Sequence, residues 1–221
     1  MRVVIFDVDG TLVDSQEDIC AAMGAAFAGV GQDVPGRAEI CAIVGLSLPE
    51  AMAVLAPELA AQHGALVEGY KAAYMQLRAE KGAAESSPLY AGALAALERL
   101  RAEDETLLAV ATGKSRRGLD KLLEGHGLQG YFVSEQVADH HPSKPHPAML
   151  EAVLHETGLC ADQAVMVGDT RFDMEMARAA GIATIGVSWG YHAPESLGAD
   201  RLITHFDALH GAVNELLGER A

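Results

Sequence analysis

The chain has 221 residues, half of them apolar and 21% charged, which suits one large domain or one domain with a substantial insertion and excludes a disordered or miniprotein chain. Sixteen Lys and Arg against 31 Asp and Glu leave a formal net charge of −15, an unfavourable field for docking on nucleic acid or an anionic membrane surface. Three scattered cysteines, Cys20, Cys41 and Cys160, match neither a disulfide framework nor a zinc knuckle and point to a reducing, cytoplasmic setting.

Residues 3–6 are a continuous β-branched and aromatic run, as in a strand buried on both faces of a parallel sheet. The run meets Asp7 too soon for a signal-peptide core, and no later apolar stretch reaches the roughly 18 to 20 residues that span a bilayer. Between residues 15 and 85 no strand is visible, Ala is frequent, and Leu66, Tyr70, Tyr74 and Leu77 form a stripe of helical period. Asp14 or Ser15 is placed to cap the first of these helices, with Glu17 or Asp18 three residues on, and the stretch 29–36 with Pro35 reads as a loop. From residue 86 onward, strands are expected at 107–111, 131–133, 164–167, 182–187 and 202–203. The intervening helices present Leu94, Leu97 and Leu100, then Met149, Val153 and Leu154, then Met174, Met176 and Ala180. This alternation predicts an α/β fold: a doubly wound, mostly parallel sheet built from residues 1–14 and 86–221, with an all-helical insert at 15–85 after the first strand.

Chemistry gathers where these strands end, at the edge where open α/β sheets bind ligands. Asp7-Val8-Asp9-Gly10-Thr11 ends the first strand, and the two-residue step can aim Asp7 and Asp9 into one pocket; the alternative is a pair of turn-forming acids before a Gly. Gly168-Asp169-Thr170-Arg171-Phe172-Asp173 follows the 164–167 strand, where Asp169 as an N-cap and Asp173 in the first turn are the simpler reading. Two acidic clusters at equivalent strand ends change that balance. Converging carboxylates repel unless a cation neutralises them, and an all-oxygen set suits Mg²⁺, which also bridges to phosphate.

Thr112-Gly113-Lys114-Ser115 ends the 107–111 strand and can hold phosphate oxygens or simply turn into the next helix. It is no Walker A loop, since position 108 is Leu. Lys144, between Ser143 and Pro145, can offset phosphate charge and pair with the acids, or be a solvated loop lysine. His140, His141 and His146 match no zinc-ligand spacing, while Lys114, Arg116, Arg117 and Lys121 form either a basic mouth or a solvated helix face.

In order and placement, Asp7-Val8-Asp9-Gly10-Thr11, Thr112, Lys144 before Pro145, and Gly168-Asp169 with Asp173 resemble the four motifs of the haloacid dehalogenase superfamily. The helical insert is similar to that superfamily's type I cap, and residues 7–15 look especially like its phosphoglycolate phosphatase group. The resemblance implies a phosphatase in which Asp7 attacks phosphorus and becomes an aspartyl phosphate, while Asp9 protonates the leaving alkoxide and then activates water. It implies Mg²⁺ held by the Asp7 carboxylate, the Asp9 carbonyl and Asp169, with Asp173 acting through a water. Thr112, Lys144 and the N–H groups of Val8, Asp9 and Gly113 would hold the transferring phosphoryl oxygens. The expected partner is a small phosphorylated metabolite, phosphoglycolate being the best single choice, and the protein is expected as a monomer or homodimer. The carboxylate at Asp9, absent from the dehalogenases themselves, separates this chain from them.

Among residues 15 to 83 the only lysines and arginines are Arg37, Lys71, Arg78 and Lys81, so a carboxylated substrate would need one of these or a backbone nest near Gly45-Leu46-Ser47. On the same fold a phosphomutase is the alternative, although its group has Val at the Thr11 position and Thr-x-x-x-His after it; a pyrophosphatase or nucleotidase is another. A non-enzymatic phospho-receiver domain would need an acceptor Asp after a later strand, and between Asp18 and Asp104 the chain has only Asp33, in a loop.

Overall fold

The computed structural model describes residues 1–218. Among them β1 (Arg2–Phe6) is followed by five helices, α1 (Gln16–Gly29), α2 (Arg37–Ala42), α3 (Leu48–Leu55), α4 (His63–Lys81) and α5 (Ala83–Ser86). The chain then runs through α6 (Ala93–Arg101), β2 (Thr106–Thr112), α7 (Arg116–His126), β3 (Ser134–Val137) and α8 (Ala148–Thr157). It closes with β4 (Ala164–Gly168), α9 (Arg171–Ala179), β5 (Ala183–Val187), β6 (Arg201–Ile203) and α10 (Leu209–Leu217). The strands form one parallel sheet in the order β3-β2-β1-β4-β5-β6. This is the doubly wound α/β architecture expected from the sequence; residues 219–221 of the expected core segment lie outside the described residues.

Alternate residues of the central strands serve opposite faces. Val4, Phe6, Val110, Val165 and Val167 pack with Leu97, Leu119 and Val213 on one side, while Val3, Ile5, Ala109 and Met166 pack with Met149, Val153 and Met176 on the other. Burial on both faces explains why these strands read as unbroken apolar runs. The chain reverses its direction of travel across the sheet at β1: β2 and β3 lie to one side of it, and β4, β5 and β6 to the other. Phe6 pairs with Val167, so the residues after β1 and after β4 emerge side by side at the carboxyl edge.

The helices between residues 16 and 86 have an apolar centre of their own, in which Met23 and Phe27 of α1 pack with Met52 of α3 and Leu66 of α4. Their two connections to the sheet run together, with Val13 bridged antiparallel to Leu89, the Asp14 N–H donating to the Pro88 carbonyl at 2.9 Å and the Tyr90 N–H to the Leu12 carbonyl at 3.0 Å.

Several local expectations are corrected. The third strand is Ser134–Val137 and not 131–133. As the edge strand it pairs only with β2 and carries Ser134 and Gln136, so its composition is too polar to read as a buried strand, whereas Val133 before it is 57% exposed. On α6 the buried face is Ala93, Leu97 and Leu100, and Leu94 points outward. Ser15 precedes α1 without capping it, because its hydroxyl is engaged by Asp9. Asp18 is likewise drawn away from the helix terminus: it is buried, and Lys81 and Ser86 donate to its carboxylate. Thr170, not Asp169, caps α9: its hydroxyl accepts from the Asp173 N–H while the Asp173 carboxylate accepts from the Thr170 N–H.

Candidate active site

The adjacency of β1 and β4 brings the two acidic motifs together. Asp7, Asp169 and Asp173 are all buried, and one carboxylate oxygen from each lies within 4.8 Å of the others. Lys144 arrives from the loop after β3, joined to Pro145 by a cis peptide bond, and its buried ammonium lies 2.8 Å from Asp7 Oδ1 and 2.6 Å from Asp173 Oδ1. The solvated-lysine alternative is thereby set aside. Asp169 is fixed by the Thr11 hydroxyl, donating to Oδ1 at 2.9 Å, and by the Tyr191 N–H, donating to Oδ2 at 2.8 Å. Gly10, with φ of +85°, passes so close to the Asp169 carboxylate that a Cβ there would collide with it.

Three buried carboxylates face one ammonium. Burial, with Asp173 and Asp9 adding like charge against the pull of Lys144, pushes the Asp7 carboxyl up from its ordinary 3.8 to about 7. Asp169 is raised well above the carboxylate range by burial first and then by Asp173 and Asp7. Asp7 Oδ1 meets the Lys144 ammonium at 2.8 Å, and Oδ2 has no hydrogen-bond partner among the described residues. Unfilled oxygen donors on clustered buried acids are the chemistry a hard divalent cation satisfies, so the residues present fit such an ion.

The Asp9 carboxylate is turned away from this cluster, toward a cavity of about 960 Å³ between the sheet edge and the helices of residues 16–86. Lys114 Nζ donates to Asp9 Oδ1 at 2.7 Å and to Oδ2 at 2.8 Å, and the Ser15 hydroxyl donates to Oδ1 at 2.5 Å. Burial alone would raise the Asp9 carboxyl, but the Lys114 charge and these hydrogen bonds hold it below its usual range. Tyr191 completes the group, its hydroxyl accepting from the Ser15 N–H at 3.0 Å. Thr112 is buried at the end of β2 beside Gly113, whose α-carbon faces the carbonyls of Gly45 and Leu46 too closely for any side chain. Asp7, Asp9, Thr112 and Gly113 all line the cavity, and Val8 is buried behind them.

Tyr191 went unassigned in the sequence, and Lys114 was placed only in a basic mouth or a solvated helix face. The signal for Lys114 is its place two residues past a strand's last Thr; the solvated alternative arises because Arg116, Arg117 and Lys121 follow it. Arg117 and Lys121 do line the cavity, while Arg116 turns to Glu135 at 2.6 Å. His141 is spent on Gln136, at 2.8 Å. Tyr191 follows β5 at the same sheet edge, with a Ser-Trp-Gly segment giving no chemical hint.

The family model for haloacid dehalogenase-like hydrolases matches residues 4–187. The chain belongs to this family. Among curated relatives of this hydrolase, the "Probable phosphatase IndB" of Dickeya dadantii is 36% identical over 221 residues, covering 97% of this chain and 94% of that protein. The "Phosphoglycolate phosphatase" of Cereibacter sphaeroides is 34% identical over 222 residues, covering 97% and 98%. Among solved structures, that of a predicted phosphatase from Clostridium acetobutylicum superposes with a TM-score of 0.85 at 25% identity, over 97% of this chain and 99% of that one. The haloacid dehalogenase-like fold, the matched span and the strand-end acids therefore agree. No helix among the described residues is long and apolar enough to cross a membrane.

Proposed function

We propose that this haloacid dehalogenase-like hydrolase is a Mg²⁺-dependent phosphatase acting on a small phosphate monoester, with phosphoglycolate the first candidate, through an aspartyl phosphate on Asp7. The observation that carries the reading is the buried group of Asp7, Asp169, Asp173 and Lys144, of which Asp7 lines a cavity whose other wall is helical. Asp7 would attack phosphorus in line, taking the phosphoryl group as the alkoxide leaves. Asp9, on the cavity side and hydrogen-bonded to Lys114 and Ser15, would protonate the leaving oxygen and later take a proton from the attacking water. Thr112, Lys144 and the N–H groups of Val8, Asp9 and Gly113 would hold the phosphoryl oxygens, since such a transition state needs mainly positioning and charge stabilisation. A bound Mg²⁺ would neutralise clustered negative charge; Asp7, Asp169 and the Asp9 carbonyl would hold it, with Asp173 in support.

Residues 15–85 would serve as a cap that excludes water and selects the leaving group. A reducing, cytoplasmic location suits the three cysteines, which are free among the described residues. The test is phosphate release from a panel of small monoesters, nucleotides and pyrophosphate, with Mg²⁺ and with EDTA. Metal-dependent release concentrated on phosphoglycolate is expected. Release from pyrophosphate or nucleotides alone would move the reading to those classes, and isomerisation of β-glucose 1-phosphate without release would replace it with a mutase.

A further inference from the structure

Of the four cap cations, three donate to other side chains. Arg37 donates to Gln16, Lys81 to the buried Asp18 at 3.0 Å, and Lys71, which also lines the cavity but is exposed, to Glu68 at 2.8 Å. Arg78 differs. It lines the cavity from α4, its Nη1 donates to the Gly118 carbonyl of α7 at 3.2 Å, and its Nε and Nη2 are buried with no hydrogen-bond partner among the described residues. Those two nitrogens form one edge of the guanidinium, a pair of parallel donors that matches a carboxylate or phosphate in bidentate fashion. Leaving them buried without an acceptor costs free energy that a ligand can recover.

The position of this edge relates it to the reaction. The Tyr74 ring lies 5.2 Å from the Arg78 guanidinium carbon and 5.3 Å from Lys114 Nζ, and Lys114 in turn holds Asp9. The free edge therefore stands one aromatic ring away from the cation that holds the acid serving the leaving group. We infer that Arg78 is the specificity-determining residue of the cap, gripping a second anionic group, carboxylate or phosphate, carried on the leaving-group side of the substrate. The inference rests on the phosphatase reading for what the first anion is, but its test does not need turnover.

The test is calorimetric binding, in the presence of Mg²⁺, of three non-hydrolysable probes: phosphonopropionate, propane bisphosphonate and propylphosphonate, the last lacking a second anion. The wild-type protein should bind at least one of the doubly charged probes about tenfold or more tighter than propylphosphonate, the scale of a charge-assisted bidentate contact. Arg78→Gln should erase that preference while leaving propylphosphonate affinity within about twofold, and Arg78→Lys, which keeps the charge and loses the fork, should restore only part of it. A preference for phosphonopropionate assigns a carboxylate; a preference confined to the bisphosphonate assigns a second phosphate and disfavours phosphoglycolate alone. Equal binding of all three probes, no binding of any, or an unchanged preference in Arg78→Gln overturns the inference. A phosphatase assay that fails on every ester, with the binding preference intact, would instead overturn the proposed reaction.

Discussion

Replacing Asp7 with Asn stops turnover while the fold persists. Asn has the shape of Asp but no carboxylate to attack phosphorus, and in covalent catalysts the loss of the nucleophile costs on the order of 10⁴-fold or more in kcat. The same substitution also has a signature in stability, which follows from the burial of Asp7 among like charges. Because the folded-state value of Asp7 is raised to about 7 from an ordinary 3.8, the folded protein binds its proton more tightly than the unfolded chain does. The contribution of Asp7 is therefore fully present below about 3.8 and is lost as the pH rises through about 7. In EDTA, denaturation of Asp7→Asn should show a stability gain over wild type that grows between those two pH values. A variant with more than a few per cent of wild-type kcat would contradict the nucleophile assignment, and a pH-independent difference in stability would contradict the raised Asp7 carboxyl.

Lys144→Ala has the largest expected effect on stability. The side chains of Lys144 and its two partners are 0–1% exposed, so solvent screens neither ion pair, and removing the ammonium leaves Asp7 and Asp173 facing each other with nothing between. Breaking a buried pair by deleting one partner typically costs about 3–5 kcal/mol. The loss should appear in full by chemical denaturation in EDTA and shrink when Mg²⁺ is added, because a second cation can meet the same acids. Turnover should fall about 10²-fold to 10³-fold, the scale of losing one preorganised charge at the transferring group. A stability change under about 1 kcal/mol, with activity preserved, would show that Lys144 is not the electrostatic partner of this site.

Much of the sheet was legible because buried parallel strands advertise themselves: residues 3–6 and 164–167 are unbroken apolar runs, the first ending on Asp7 and the second one residue before Asp169. Their ends then located the carboxyl edge, and the topology that makes β1 and β4 neighbours explains why Asp7 and Asp169 meet. The edge strand β3 escaped notice for the same physical reason in reverse, since one open side permits Ser134 and Gln136 where a central strand needs valine. Side-chain roles were legible only where a residue type has one sensible task. A Ser before a helix normally caps it, yet Ser15 serves Asp9 because packing brings the two within hydrogen-bonding reach. Lys114 sits at the head of a basic run that reads as either a basic mouth or a solvated face, and the fold shows it turned inward to Asp9. Arg78 could not be separated from Arg37, Lys71 and Lys81 by sequence, because what distinguishes it is the absence of an acceptor at its free edge among the described residues, a property of where the fold places its guanidinium against Gly118.

The central claim is that Asp7 carries the phosphoryl group. The direct measurement is rapid acid quenching of the wild-type enzyme during turnover of the best ester with Mg²⁺, followed by peptide mass spectrometry. A phosphate adduct that forms and decays at the rate of turnover and maps to Asp7 is the expected result. An adduct on Ser15, Thr112 or another side chain, or turnover with no adduct at any time point, would contradict it.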